Sequence, residues 1–230
     1  MSQELSAGWI LAAWGVGGLL AMAGARTYAE AALMIPRSGG EYRYLSELLH
    51  PAVGYLAGWA SLLVGFSAPM AISAFAAAAF AFAVFGLADP RLGAAALIVL
   101  LTLFHAAGLG FSKWTQNGLV ILKGLLILAF VTLGLCLGET QWPSWAPPNE
   151  QPSLALSFAS SLFFVAYAFS GWNAAAYAAE EFRSPRRDVP RAMLTGCAIV
   201  ALAYVLVNWI LVANLSPERA QVVFEYEEAR

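Results

Sequence analysis

The sequence predicts an all-α integral membrane protein with six transmembrane helices, and three observations carry that prediction. The chain is 60% hydrophobic and only 11% charged, whereas soluble domains sit nearer about 25% charged. Its mean hydropathy is +0.69. Apolar runs long enough to cross a bilayer, which takes about 20 residues, recur six times: roughly 9–33, 54–85, 92–111, 117–138, 154–179 and 192–215. The formal net charge of -2, with no basic block or tail, excludes the electrostatic footprint of a nucleic-acid binder.

The elements follow in order. The leader "MSQELSAG" has no basic region, so no cleavable signal peptide is expected before the first span. The stretch "PRSGGEYRYLSELLHP" comes next; its Tyr42, Leu45, Leu48 and Leu49 recur at helical spacing among charges, which predicts a short helix lying at the membrane interface. The second span is too long for an upright crossing at about 1.5 Å per residue. It is therefore expected to tilt, kink near Pro69 or protrude, and its "SAFAAAAFAFA" lets neighbouring backbones approach closely. The third span holds a lone His105 with no second ligand at metal spacing, which reads as a satisfied buried histidine. The fourth holds one formal charge, Lys123, in an apolar run from Gly118 to Gly138. Cys136 and Cys197 both lie in apolar runs and read as small core residues, not as a disulfide or a metal site. Trp9, Trp114, Trp142 and Trp145 sit near span ends, where amphipathic rings favour the headgroup layer.

Basic residues in the loops set the orientation, because they stay cytoplasmic. One side carries Arg26, Arg37, Arg43, Lys113, Arg183, Arg186, Arg187 and Arg191, the other Arg91, Arg219 and Arg230. The first side is thus expected inside the cell and both termini outside, in the inner or plasma membrane. An outside N-terminus without a signal peptide suggests a preceding span that this chain lacks. Residues 216–230 read as a short divergent or truncated tail.

The fifth span, "SLFFVAYAFSGWNAAAYAAEEFRSPRRDVPRA", predicts a break. Ser170, Gly171 and Asn173 cluster at its middle, where Gly is a poor helix former and Ser and Asn side chains compete for backbone hydrogen bonds. Unwound backbone at membrane depth is tolerated only against protein or a water-filled cavity, and in transporters such breaks hold the binding site. A close-packing patch of small residues explains Ser170 and Gly171 equally well from composition alone. Tyr167, Phe169 and Trp172 flank the gap and suit a gated pocket, though each also suits simple packing.

Three stretches together, "PRSGGEYRYL", "QNGLVILKGLLIL" and "YAFSGWNAAAYAAEEFRSPRRDVPRA", resemble the amino acid, polyamine and organocation transporter superfamily, within it the amino acid permeases related to the L-type transporters. The resemblance preserves motif order and spacing up to about Leu215. It implies a LeuT-type fold of two inverted five-helix repeats, in which these six spans look like helices two to seven, with the first helix and helices eight onward absent. By position, Tyr167 would close over substrate from the outer side. The carbonyls of Tyr167, Ala168 and Phe169 would receive its ammonium, and Ser170, Gly171, Trp172 and Asn173 would shape the side-chain pocket. Val64 and Gly65 align with pocket-lining positions. Pro69 and Arg26 depart from the family pattern.

Lys123 matches a lysine that, in the family, takes the place of a sodium ion and bridges helices. Apolar surroundings favour the uncharged form of an amine, which suits a proton carrier; the plainer alternative is a stem that snorkels to the cytoplasmic headgroups. Glu180 and Glu181 read as a cytoplasmic gate or as solvated surface charge. The leading function is secondary transport of an amino acid, coupled to protons or to exchange, with no cofactor and no Walker-type ATP loop. A transport-inactive fragment or interaction subunit is the alternative. An intramembrane enzyme is disfavoured because His50 and His105 supply neither a nucleophile with its base nor a metal site.

Overall fold

The computed structural model describes residues 5–85, 89–106, 108–138, 142–146 and 153–214. The expected tail 216–230, with Leu215, Arg219 and Arg230, lies outside the described residues. Among the described residues the regular structure is entirely helical. The helices are α1 Ala7–Met34, α2 Gly40–Leu48, α3 Pro51–Ala60, α4 Ala68–Phe85, α5 Pro90–Ala106, α6 Leu109–Leu137, α7 Leu154–Ala168, α8 Ala174–Tyr177 and α9 Pro185–Asn214. They form two compact units, Met1–Gly40 with Leu125–Arg230, and Glu41–Gly124.

The six apolar runs all appear as helix, but not all as full crossings. Ala7–Met34, Pro51–Phe85, Lys113–Leu137 and Pro185–Asn214 are long and apolar enough to span a membrane, while Pro90–Ala106 and Leu154–Ala168 are shorter. Two boundaries move. The third run does not continue to residue 111, because α6 already begins at Leu109 after Gly108 at φ +155°. Lys113, counted with the loop charges, consequently lies inside α6. The fifth run does not remain helical to residue 179; α7 stops at Ala168.

In the first unit, α1 runs against α7 and α9. Its contact face is built from Ala13, Gly17, Gly18, Ala21, Gly24 and Ala25, so no side chain holds the neighbours away. A methyl group on Gly18 would sit 3.2 Å from Ala201 and 3.5 Å from the Phe169 ring. The core thus joins Ala13, Ala21, Ala25, Val165, Phe169 and Cys197. In lipid, where apolar burial alone gives helices little reason to associate, this close approach supplies the dispersion contact that holds them. The Trp145 ring stacks edge-on to Trp9 at 5.7 Å, and Gly8 N–H donates to Ser144 O at 2.9 Å. The segment carrying Trp142 and Trp145 is thereby tied to the start of α1.

The loop after α1 belongs to this unit too. Gly39 and Gly40 have φ of +125° and +52°, which side-chain-bearing residues rarely adopt. A Cβ on Gly40 would also meet the Tyr177 ring at 2.8 Å. Beside it, Ser38 Oγ accepts the Glu180 N–H at 3.0 Å. The "PRSGG" motif therefore docks onto the chain that follows α8.

The second unit explains the long second run. Between α3 and α4 the helix widens to π geometry over Ser61–Ser67, and Ala68 N–H donates to Leu63 O, five residues back. Pro69 supplies the cause: it has no N–H, and its ring would clash with the carbonyl of Gly65 in a regular α-helix. The expected kink near Pro69 is thus a local widening. Val64 and Gly65 lie in this widened turn. At the start of α3, Pro51 occupies the first turn and His50 Nδ1 accepts the Ala52 N–H at 3.2 Å. The short helix expected in this stretch forms as α2, where burial, reinforced by the negative charge of Glu41, pushes the Tyr44 phenol up from its ordinary value. Farther along, α4 and α5 pair through Ala74, Ala78 and Ala94.

Two side chains expected in the core are on the surface. His105 is exposed, its Nδ1 lying 2.7 Å from the Leu101 carbonyl one turn back, so its polar atom is satisfied by its own helix without burial. Cys136 is exposed as well, and only Cys197 is buried. An apolar run in a membrane helix has a lipid face, and apolar neighbours in sequence do not distinguish that face from the core.

Candidate functional site: the break after α7

The hydrogen-bond ladder of α7 closes normally until Phe169 N–H, which donates to Val165 O at 3.1 Å. Ser170 N–H then turns back to Tyr167 O at 3.0 Å, a tighter three-residue closure. Gly171 follows at φ +99°. That left-handed conformation carries the chain out of the helix, and glycine allows it because it has no Cβ. Ala174 N–H donates to Gly171 O at 3.1 Å and starts the single turn of α8. A 3₁₀ turn at Ala179–Glu181 and the extended Phe182 lead on to α9.

Breaking the ladder leaves Ala168 O without the N–H of Trp172 that a continuous helix would supply. The Tyr204 hydroxyl in α9 donates to it instead, at 2.9 Å. The ring of Tyr204 is held edge-on against Trp14 at 5.0 Å and against Phe169 at 5.1 Å. The turn and α9 together line an open pocket of about 340 Å³. One wall is Ala168 to Trp172 with Ala174 and Ala175; the other is the α9 face that carries Met193, Cys197, Val200 and Tyr204. No charged side chain lines it among the described residues. That size lies within the range of small-molecule sites, about 300–1,000 Å³.

The residues singled out from sequence separate into groups. Ala168, Phe169, Ser170, Gly171 and Trp172 all line this cavity. Phe169, however, is 5% exposed and packs into the α1 and α9 core, touching Trp14 at 6.1 Å between ring centres. Trp172 stacks edge-on to Tyr28 at 4.9 Å, and its indole lies where a Cβ on Gly24 would be only 2.8 Å away. Tyr167 is 49% exposed on the outer surface of α7. Neither Tyr167 nor Asn173, which precedes α8, is in the cavity lining. Glu180 and Glu181 are exposed in the 3₁₀ turn. Val64, 70% exposed, Gly65 and Lys123 belong to the other unit, where Lys123 is exposed on α6.

Sequence reasoning did not find the α9 wall. Met193, Cys197, Val200 and Tyr204 recur at spacings of three and four and so share one helix face. That stripe was readable, but in an apolar span it looks the same as any lipid-facing stripe. The α1 residues that seat Trp172, Gly24 and Tyr28, carried no signal of their own.

Comparison with known proteins identifies the family. A family model described as amino acid permease matches residues 2–223. The b(0,+)-type amino acid transporter 1 of Mus musculus is 31% identical over 225 residues, covering 94% of this chain and 46% of its own length. The rabbit (Oryctolagus cuniculus) counterpart is 32% identical over 223 residues, or 90% of this chain and 44% of its own. The large neutral amino acids transporter small subunit 2 of Homo sapiens is 29% identical over 225 residues, covering 93% and 42% respectively. The chain spans a little under half the length of these curated relatives. Their names are those of transporters and not of enzymes. With the match running through α1, the broken α7 and α9 alike, the chain belongs to the amino acid permease family.

Proposed function

We propose that this multi-pass membrane chain provides the substrate-binding break of a secondary transporter, which moves amino acids across the cell membrane by alternating access. One observation supports it above the others: the α7 ladder stops at Ala168, and the turn that follows lines an open, uncharged pocket of about 340 Å³ together with α9. Freed carbonyls at such a break suit a substrate ammonium, and a small uncharged pocket suits an amino acid side chain. In this reading the carbonyls of Tyr167, Ala168 and Phe169 receive the ammonium, Tyr167 closes over it from outside, and Ser170 to Asn173 shape the pocket. Val64 and Gly65 are substrate-contacting positions by resemblance, and their π-helical turn suits that role, since such turns concentrate at functional sites. Lys123 carries the coupled proton, Glu180 and Glu181 gate the cytoplasmic side, and the helix ends and connections that carry Arg37, Arg183, Arg186 and Arg187 lie inside the cell.

A second reading has its own support. In it the chain is a transport-inactive fragment or an interaction subunit; the chain spans under half the length of each of these relatives. Reconstitution into proteoliposomes separates the two: uptake of a panel of labelled amino acids is followed with and without an imposed pH gradient, beside equilibrium binding to the same preparation. Saturable uptake that responds to the gradient supports the coupled transporter. Binding without uptake supports the second reading, and neither binding nor uptake overturns the substrate-binding break of the first.

A further inference from the structure

Two glycines of α3 let α2 lie close to it. A Cβ on Gly54 would collide with Ser46 and with the Tyr42 carbonyl, and one on Gly58 would lie 3.2 Å from the Tyr42 ring. The bare backbone at Gly58 thus becomes the floor of an open groove of about 210 Å³, whose walls are Tyr42, Tyr55, Trp59 and Leu62. The rings of Tyr55 and Trp59 stand at 74° to one another with centres 6.3 Å apart, so two walls meet at a corner, and Tyr42 supplies a third. All three aromatic residues stay about half exposed.

The neighbours of the groove set its depth in the bilayer. Arg43 and Glu47 pair at 2.9 Å on α2, and such charges stay out of the hydrocarbon. The apolar helix begins at Pro51; at about 1.5 Å per residue, Tyr55 lies roughly 6 Å and Trp59 roughly 12 Å into it. The groove therefore runs from the headgroup layer toward the acyl chains, the path of one phospholipid. Its wall is almost wholly carbon, and no charged side chain lines it among the described residues. Aromatic faces carry negative potential and attract cations. A primary ammonium entering such a wall would leave N–H groups without acceptors, whereas a trimethylammonium has none to leave. We propose that Tyr42, Tyr55 and Trp59 form a binding site for phosphatidylcholine, with the quaternary ammonium against the rings and an acyl chain along Leu62. None of these residues belongs to the break after α7.

The test titrates the protein in detergent with dioleoyl phosphatidylcholine, phosphatidylethanolamine and phosphatidylglycerol, which share their acyl chains, and reads the Kd of the first bound lipid by native mass spectrometry. One ring facing a cation at an exposed site is worth about two- to five-fold in affinity, so phosphatidylcholine should bind more tightly than either of the others by at least that factor. Trp59→Leu, which keeps an apolar wall, should remove about two- to five-fold of the preference and leave phosphatidylethanolamine binding as it was; Tyr55→Phe, which keeps the ring face, should retain the preference. Hydrogen exchange on the unaltered protein locates the lipid: phosphatidylcholine should slow the amides of residues 42–48 more than phosphatidylethanolamine does. Equal Kd values for these two lipids, tighter binding of phosphatidylglycerol, a preference undiminished in Trp59→Leu, or protection confined to other helices each overturns the proposal.

Discussion

Replacing Gly171 by Ala tests the break most directly, because its two consequences are separable from any clash. The φ of +99° is a conformation that L residues rarely adopt, and forcing a Cβ into it costs about 1–2 kcal/mol. No other atom lies within 4 Å of the position that Cβ would take, so this cost arises in the backbone and not from crowding. The same substitution favours a continuous helix by up to about 1 kcal/mol, the difference in helix propensity between Ala and Gly. Both effects move the equilibrium from broken to straight, by roughly 2–3 kcal/mol together, or about 30- to 150-fold in population. If substrate binds only the broken form, its apparent Kd rises by up to that factor. Equilibrium binding reads the loss, and hydrogen exchange at residues 169–173 reads its cause, since a restored ladder protects those amides. Asn tolerates left-handed conformations better than Ala, and Val worse, so affinity should fall in the order Gly, Asn, Ala, Val. A Gly171→Val protein that binds as tightly as the original would refute the role given to this φ.

Three further expectations follow from other contacts. Gly24→Ala places a methyl 2.8 Å from the Trp172 indole; overpacking of this kind costs about 1–3 kcal/mol. It should lower Tm and weaken binding, and adding Trp172→Phe should recover part of the Tm; no recovery would mean that the clash is not with Trp172. Ser38→Ala removes the acceptor of the Glu180 N–H at a cost of about 1 kcal/mol, so hydrogen exchange at Glu180 should quicken several-fold while that in α4 and α5 stays as it was. In proteoliposomes that support uptake, Lys123→Met should abolish the response to a pH gradient without impairing membrane insertion, and an unaltered response would remove Lys123 from proton coupling.

The sequence made some of this legible and hid the rest for physical reasons. Composition and run length were enough for the six apolar segments, since the hydrocarbon core demands a helix wherever about 20 apolar residues occur. The break was readable because Ser170, Gly171 and Asn173 are poor helix formers placed together, and α7 ends at Ala168, two residues before Ser170. The π-helical widening before Pro69 was only half readable: proline announces a disturbance, but where the backbone absorbs it depends on its neighbours. Burial was read least well. Cys136 and His105 sit in sequence surroundings as apolar as those of Cys197, yet only Cys197 faces another helix. Tyr204 looked like one more aromatic in a span, because the carbonyl that engages its hydroxyl belongs to another helix and exists as an acceptor only after that helix has broken.

The contact between Ser38 and Glu180 joins residues 142 positions apart. At a synthesis rate of about 5–20 residues per second, Ser38 precedes Glu180 out of the ribosome by roughly 7–28 s. During that interval α1 is in the membrane without α7 or α9, its Gly17, Gly18 and Gly24 face turned to lipid. Such faces draw helices together, so the packing face of α1 stays without its native partners until α7 and α9 have been made. The small residues that let α1 pack so closely thus serve only the last step of assembly, and bulkier residues at Gly17 or Gly18 would let α1 insert yet block the docking of α7 and α9.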